Sequence, residues 1–153
     1  MPRGWRIVKR KHAGRAFDGE GARRHGGRWN SPGTSLVYTA ESRSLAILEI
    51  LVHLESSAVL ASYVLCAAGF AEAQVERLDR GRLPASWRAF PAPAELQRLG
   101  DEWVRGGTSL VLEVPSALVA QESNFLINPR HPDAATLEIE PPETFALDLR
   151  LLR

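Results

Sequence analysis

Between residues 35 and 52 the chain reads SLVYTAESRSLAILEILV, a stretch that predicts a strand followed closely by a helix. The β-forming residues 35–39 are bounded on their N-terminal side by Pro32-Gly33, which is a turn signal. Ser42 is a suitable N-cap for a helix over residues 43–55. Because this helix is apolar on nearly all sides, we expect it to be buried. The stretch therefore favours a fold that combines strands with helices.

Outward from this stretch, the patterns predict more strands than helices. A second helix is predicted over residues 94–105 and ends at Gly106-Gly107. Residues 9–34 are rich in Gly, Arg and Asn and lack periodicity, which indicates a long loop. Because strands and helices do not alternate regularly, we predict an α+β fold with a mixed or antiparallel sheet core and flanking helices, in a single domain over residues 1–153. Further strands are predicted over residues 5–8, 60–66, 75–78, 110–114, 125–128 and 144–152.

The composition excludes several classes of protein. A single cysteine, Cys66, excludes an internal disulfide framework and fits a cytoplasmic protein. No apolar run approaches the ~20 residues that span a bilayer, and the first residues lack the apolar core of a secretory signal. The four histidines (12, 25, 53 and 131) lack the spacing of metal ligands, so no metal site is predicted. Because no apolar run is long enough to span a bilayer, no membrane partner is predicted either.

Positive charge is concentrated at the start of the chain. Residues 1–30 carry nine basic and two acidic residues, a formal charge of +7, although the whole chain has a net charge of +1. Such a segment is either a solvated basic face or a binding surface for nucleic acid, a nucleotide phosphate or an acidic protein. Its basic residues lie in a glycine-rich loop, and no helix-turn-helix pattern accompanies them, so a nucleic-acid-binding protein is the alternative interpretation.

Arg28 and Glu49 are the predicted poles of a polar pocket for a small charged ligand. Arg28 follows Gly26-Gly27, which permits close approach of the backbone to a ligand. Glu49 is a lone carboxylate in an apolar helix, which is costly unless it has a partner or a task. Helical spacing places His53 and the small Ala46 beside Glu49, so this face is expected to border a cavity. Glu49 serves either catalysis or a structural ion pair, and His53 is expected to be a core or rim residue.

Several short motifs follow one another along nearly the whole chain, from Arg6 to Asp148-Leu149-Arg150. They are EGA at 20–22, GGRWN at 26–30, VYT at 37–39, AILE at 46–49, VPS at 114–116 and NFLINPRHP at 124–132. Each motif alone is weak, but the set in this order resembles the RES-domain toxins, a family named for an Arg, a Glu and a Ser.

The resemblance implies a fold related to the ADP-ribosyltransferase toxins, with NAD+ as the substrate and no cofactor. It also implies a bacterial type II toxin–antitoxin pair, in which an Xre-like antitoxin forms a hetero-oligomer with the toxin and makes any contact with DNA. Matched by motif, the predicted catalytic residues are Arg28, Tyr38, Glu49 and Ser116, with Ser123 as the second choice for the serine. The predicted substrate-binding residues are Gly27, Trp29, Asn30, Ser123 and Asn124.

These residue types suit cleavage of the bond between nicotinamide and ribose. The planar guanidinium of Arg28 suits a diphosphate. We expect Gly26 and Gly27 to let backbone N–H groups approach the same anion, and Tyr38 to stack on the nicotinamide or ribose. An ionised Glu49 stabilises positive charge that develops on the ribose. The acceptor stays open between water, inorganic phosphate as a co-substrate, and a protein side chain. A nuclease toxin that uses His25 and Glu49 as acid and base is a further alternative.

Overall fold

A curled sheet forms the centre of the computed structural model, which describes residues 1–54, 62–144 and 148–152. Within these residues the sheet order is β4-β5-β6-β2-β1-β3-β7, and β8 also pairs with β3. β4 and β5 are parallel and the other neighbours are antiparallel, so the predicted α+β fold with a mixed sheet is confirmed. The strands are β1 (Arg3–Lys9), β2 (Val37–Ala40), β3 (Tyr63–Gly69), β4 (Val75–Arg77), β5 (Val111–Pro115), β6 (Ser123–Ile127), β7 (Glu138–Ile139) and β8 (Glu143–Thr144).

Two longer helices pack on this sheet. Helix α2 (Arg43–Leu51) begins as predicted, because the Ser42 hydroxyl accepts a hydrogen bond from the Leu45 N–H at 3.1 Å. Leu45 and Ala46 of α2 are buried against β1, β2 and β3. Helix α3 (Ala94–Gly106) buries Leu96 and Trp103 against β5, β6 and the loop that carries Trp29.

The predicted elements differ from the observed ones in three places. The predicted loop over residues 9–34 contains a 3₁₀ helix (Arg10–Arg15) and helix α1 (Glu20–His25), which are too short to show a periodic pattern. The predicted helix over residues 43–55 ends at Leu51, and it is buried on one face only, since Leu48 is 42% exposed and Val52, just after its end, is 59% exposed. The predicted last strand stops at Thr144, and residues 149–152 form a 3₁₀ helix instead. Residues 55, 60–61 and 145–147 of the predicted elements lie outside the described residues.

Among the helices of the described residues, none is both long enough and apolar enough to cross a membrane.

Close contact between α3 and the Trp29 loop gives a first prediction. A Cβ at Gly100 would overlap the Trp29 carbonyl, so we expect Gly100→Ala to lower the free energy of unfolding by about 3 kcal/mol. Gly106→Ala is the matched control, because a Cβ at this position in the same helix meets nothing within 4 Å. Urea titration of both variants measures the effect, and equal stability of the two would contradict the observed contact.

Candidate active site

A cleft of about 1060 Å³ opens beside the point where β1 and β2 pair. The two strands are in register at Trp5 and Ala40. On one side of this pair, residues of both strands line the cleft, namely Arg6, Ile7 and Val8 of β1 and Tyr38 and Thr39 of β2. A space of this size accommodates a ligand as large as a dinucleotide.

Helix α2 presents one face to the cleft. Ala46, Glu49, Ile50 and His53 all line it, and their spacing puts them on one side of the helix. This confirms the prediction that the face bearing Glu49 borders a cavity. The His53 side chain is exposed, which makes it a residue of the rim.

The Glu49 carboxylate is held by two neutral donors. Its Oε1 accepts hydrogen bonds from the Ser116 hydroxyl at 3.3 Å and from the Asn124 side-chain amide at 3.2 Å. The same amide nitrogen lies 3.2 Å from the Thr39 carbonyl, which fixes Asn124 between β2 and α2. No ion pair to Glu49 is found among the described residues, so the structural ion-pair interpretation is not supported. The partners leave the negative charge intact at the cleft wall.

Of the two candidate serines, Ser116 is the one that contacts Glu49. Ser116 is fully buried, and its oxygen also accepts from the backbone N–H groups of Leu118 and Val119. It therefore lies behind the carboxylate and holds it, and its own side chain does not line the cleft. The Ser123 hydroxyl donates instead to Glu113 at 3.2 Å, away from the cleft.

Arg28 lies in the same cleft as Glu49. Its Nη1 donates to the backbone carbonyls of Trp87 at 2.9 Å and Ala89 at 3.1 Å. Among the described residues, Nε and Nη2 have no hydrogen-bond partner. Burial lowers the pKa of Arg28, while the nearby Glu49 carboxylate raises it. An arginine remains charged under these conditions, so the cleft has a cationic pole and an anionic pole that are not joined by a direct ion pair.

Tyr38 connects the cleft to the loop that carries Arg28. Its hydroxyl donates to Asn30 Oδ1 at 2.6 Å and accepts from the Trp29 N–H at 2.9 Å. A Cβ at Gly27 would lie 2.6 Å from this hydroxyl, so the residue before Arg28 has to be glycine for the ring to fit. Gly26 has a positive φ of 72°, which glycine adopts without strain, and it ends α1.

The backbone N–H groups of the two glycines do not face a ligand, so that expectation is wrong. The Gly26 N–H donates to the Ala22 carbonyl at 2.8 Å, and the Gly27 N–H donates to the Asn30 carbonyl at 3.0 Å. Both groups close turns within the loop that carries Arg28.

Two predicted substrate contacts instead hold this loop together. Asn30 is fully buried, and its amide nitrogen donates to three carbonyls of the loop, those of Ala22, Ser31 and Thr34. Trp29 is 2% exposed and packs with the residues around α3, although its edge borders the cleft. Both side chains thus stabilise the loop that carries Arg28, and the substrate-binding role of Trp29 stays a prediction. Gly27 and Asn124 do line the cleft.

Arg6 is a cleft residue that the sequence analysis missed. It lies in β1 between the buried Trp5 and Ile7, and its Nε is buried without a hydrogen-bond partner among the described residues. Burial lowers its pKa, an effect that Cys66 and Asp18 oppose. Arg6 lies between apolar residues of β1, as Glu49 does in α2, and this signal was available in the sequence.

The environment of Tyr38 predicts a loss of stability at alkaline pH. Burial raises the pKa of Tyr38 above its ordinary value of 10.0. Above that pH the unfolded chain releases this proton and the folded protein retains it, so stability falls as the pH rises. At pH 11, one unit above this ordinary value, the free energy of unfolding should be lower by about 1.4 kcal/mol on account of Tyr38. Urea unfolding at pH 8 and pH 11 measures it.

Tyr38→Phe should remove this part of the pH dependence, and Tyr63→Phe, which leaves Tyr38 in place, should retain it. At pH 8 Tyr38→Phe should also cost about 1–3 kcal/mol, because Trp29 N–H and Asn30 Oδ1 lose their partner. An unchanged alkaline slope in Tyr38→Phe would contradict the assignment.

Comparisons with known proteins agree with this geometry. The RES domain family model matches residues 3–148. "Toxin Res" of Yersinia enterocolitica is 41% identical over 148 residues, covering 96% of this chain and 97% of the relative. "Prs ADP-ribosylating toxin" of a Sphingobium strain is 37% identical over 154 residues, covering 97% and 96%.

The fold matches that of a solved structure. The crystal structure of the M. tuberculosis MbcT-MbcA toxin-antitoxin complex contains a chain with a TM-score of 0.76 and 20% identity, covering 95% of this chain and 84% of that one. At this identity the likeness shows the fold alone. The family-model match and the sequence relatives confirm the resemblance seen in the motifs, and the chain belongs to the RES domain family.

Proposed function

We propose that the protein is the toxin of a bacterial toxin–antitoxin pair and that it cleaves the bond between nicotinamide and ribose in NAD+. The observation that carries the proposal is the Glu49 carboxylate, which faces a dinucleotide-sized cleft and is held there by Ser116 and Asn124. Three sequence relatives named "Toxin Res" support the toxin assignment.

Two arginines are suited to the diphosphate of the substrate. The Arg28 guanidinium has two nitrogens without partners among the described residues, and Arg6 Nε is buried and equally unpaired. Buried donors of a cation that lack hydrogen-bond partners are costly, and an anionic ligand that accepts from them removes that cost. Arg23 and Arg24 differ, because both pair with Glu20 on the surface of α1. Arg6 and Arg28 of the basic N-terminal segment thus place their charge at the cleft, which favours a nucleotide as the ligand of these two residues.

The Glu49 carboxylate supplies the electrostatic part of the reaction. When the glycosidic bond breaks, its electron pair goes to the nicotinamide nitrogen, and positive charge develops on the ribose. A fixed negative charge stabilises this transition state more than the ground state. The acceptor then forms a bond to the ribose C1 and releases a proton where it carries one.

Three acceptors distinguish three reactions. Water gives ADP-ribose, inorganic phosphate gives ADP-ribose 1-phosphate, and a protein side chain gives an ADP-ribosylated target. The excess cationic charge of the cleft favours a small anion such as phosphate, so we propose cleavage with water or phosphate as the main reaction. The name of the Sphingobium relative, an ADP-ribosylating toxin, supports protein modification as the second candidate.

The proposed partner is an Xre-like antitoxin that forms a hetero-oligomer with this chain in the cytoplasm and provides any contact with DNA. Support for a partner comes from the fold match, whose solved structure is a toxin-antitoxin complex. No cofactor is required by the proposed reaction, since NAD+ is itself the substrate.

The test is incubation of the purified protein with NAD+, in the presence and absence of inorganic phosphate and of cell extract, followed by mass spectrometry. Release of nicotinamide supports the proposal, and the ribose-containing product identifies the acceptor. A parallel incubation with RNA tests the nuclease alternative. Intact NAD+ in every arm would overturn the proposal.

A further inference from the structure

Residues 84–93 form a strap between the last turn after β4 and helix α3. Two consecutive turns shape it, in which the Trp87 N–H donates to the Pro84 carbonyl at 3.0 Å and the Ala89 N–H to the Ser86 carbonyl at 2.8 Å. The Trp87 side chain packs against the buried residues under α3. The strap is therefore anchored at its middle, and Phe90, Pro91 and Ala92 of its second half line the cleft.

Two backbone carbonyls of the strap hold the guanidinium of Arg28, which is the cationic pole of the cleft. The carbonyls of Trp87 and Ala89 both accept from Arg28 Nη1, which leaves Nε and Nη2 to face a ligand. The direction of the guanidinium plane is therefore set by the backbone on either side of Arg88.

Arg88 itself reaches to the other side of the cleft. Its Nε donates to the Ala117 carbonyl at 2.9 Å and its Nη2 to the Leu118 carbonyl at 3.2 Å. These carbonyls belong to the turn that follows Ser116, and the Leu118 N–H donates to the Ser116 oxygen at 3.1 Å. Ser116 in turn donates to Glu49.

We propose that Arg88 is a positioning residue that joins the strap to the turn after Ser116 and thereby fixes the Arg28 guanidinium and the Glu49 carboxylate relative to each other. Arg88 is exposed and lies outside the buried clusters. Its guanidinium donates to the two carbonyls and lies 6.0 Å from the centre of the neighbouring Trp87 ring. A fork of two donors on adjacent carbonyls sets both distance and angle, as a single ammonium does not. The kinetic part of this inference rests on the proposed function.

The experiment compares Arg88→Ala and Arg88→Lys with the matched control Arg82→Ala. Arg82 is an exposed arginine of the preceding segment that pairs with Glu102 at 3.5 Å, away from the cleft. We expect Arg88→Ala to raise KM for NAD+ about tenfold and to lower kcat about tenfold, since both poles lose their alignment. Arg88→Lys should recover about a third of the loss in kcat/KM, because lysine reaches one of the two carbonyls. In Arg82→Ala both kcat and KM should stay within about twofold of the unmodified protein.

Amide hydrogen exchange, measured without substrate, tests the joint independently of activity. In Arg88→Ala the amides of Ala89 and Leu118 should exchange about tenfold faster, and in Arg82→Ala they should not change. A partly unfolded population lowers kcat and leaves KM unchanged, so a rise in KM separates positioning from a loss of folded protein.

Unchanged exchange in Arg88→Ala would overturn the proposal, whatever the activity. If these amides exchange faster in Arg88→Ala but its kcat and KM equal those of Arg82→Ala, the positioning role is overturned as well. If the unmodified protein does not consume NAD+, the proposed function fails, and growth inhibition by the variants becomes the activity measurement. Full growth inhibition by Arg88→Ala at equal expression would then count against Arg88.

Discussion

Glu49→Gln is expected to lower kcat for NAD+ cleavage by about 1000-fold, because it removes the charge that faces the developing positive charge on the ribose. The glutamine keeps the size of the side chain, and its oxygen still accepts from Ser116 and Asn124. The melting temperature should therefore stay within about 3 °C of the unmodified protein. Steady-state NAD+ consumption and growth inhibition without antitoxin measure the effect, and we expect growth inhibition to be lost.

Glu41→Gln provides the control for the lost charge. Glu41 is an exposed carboxylate just before α2, and its oxygen accepts from the Ser123 N–H at 3.1 Å, outside the cleft. This variant should retain full activity. If cellular NAD+ falls as fast with Glu49→Gln as with the unmodified protein, Glu49 is not the group that stabilises the transition state.

Arg28→Ala is expected to reduce kcat/KM by about 100-fold, mostly through KM, because a diphosphate loses charge-assisted hydrogen bonds. Arg28→Lys keeps the charge but not the planar fork, so it should recover only part of the affinity. Growth inhibition should be lost in Arg28→Ala. Because Arg28 contributes to the strap contacts but not to the buried clusters, far-ultraviolet circular dichroism should be unchanged.

The matched control for Arg28 is Arg24→Ala. Arg24 belongs to the same basic segment, is exposed, and lies 3.7 Å from Glu20. Its removal lowers the overall charge by the same amount and should change KM by less than about twofold. Equal effects of the two substitutions would show that general charge, and not a specific contact, attracts the substrate.

Local patterns were enough to predict much of the site. Glu49 stood out because an ionised group in an apolar helix requires a reason, and helical spacing then placed Ala46 and His53 beside it. The N-cap at Ser42 was also predictable, because capping depends on residues that are neighbours in the sequence. The catalytic and binding roles of these residues stay predictions until the kinetic tests are made.

The pairing of strands that are distant in the sequence determined those parts of the site that local patterns could not predict. The choice between Ser116 and Ser123 depends on the register of β5 and β6, in which Val114 lies opposite Asn124. This register brings Asn124 to Glu49 and leaves Ser116 just beyond the strand, behind the carboxylate. Likewise, Arg88 lies in a segment without periodic pattern, so only the folded chain shows that it reaches the turn after Ser116.

The central place of β6 in the sheet has a consequence for synthesis of the protein. β6 lies between β5 and β2, although it is among the later strands to be made, and it delivers Asn124 to the carboxylate of α2. A nascent chain that has not yet passed Ile127 therefore leaves β2 with β1 alone as a neighbour in the described sheet, and its cleft lacks Asn124. On the ribosome the proposed activity can arise only after β6 has been made, so chains that stop before β6 are expected to be harmless to the cell that makes them.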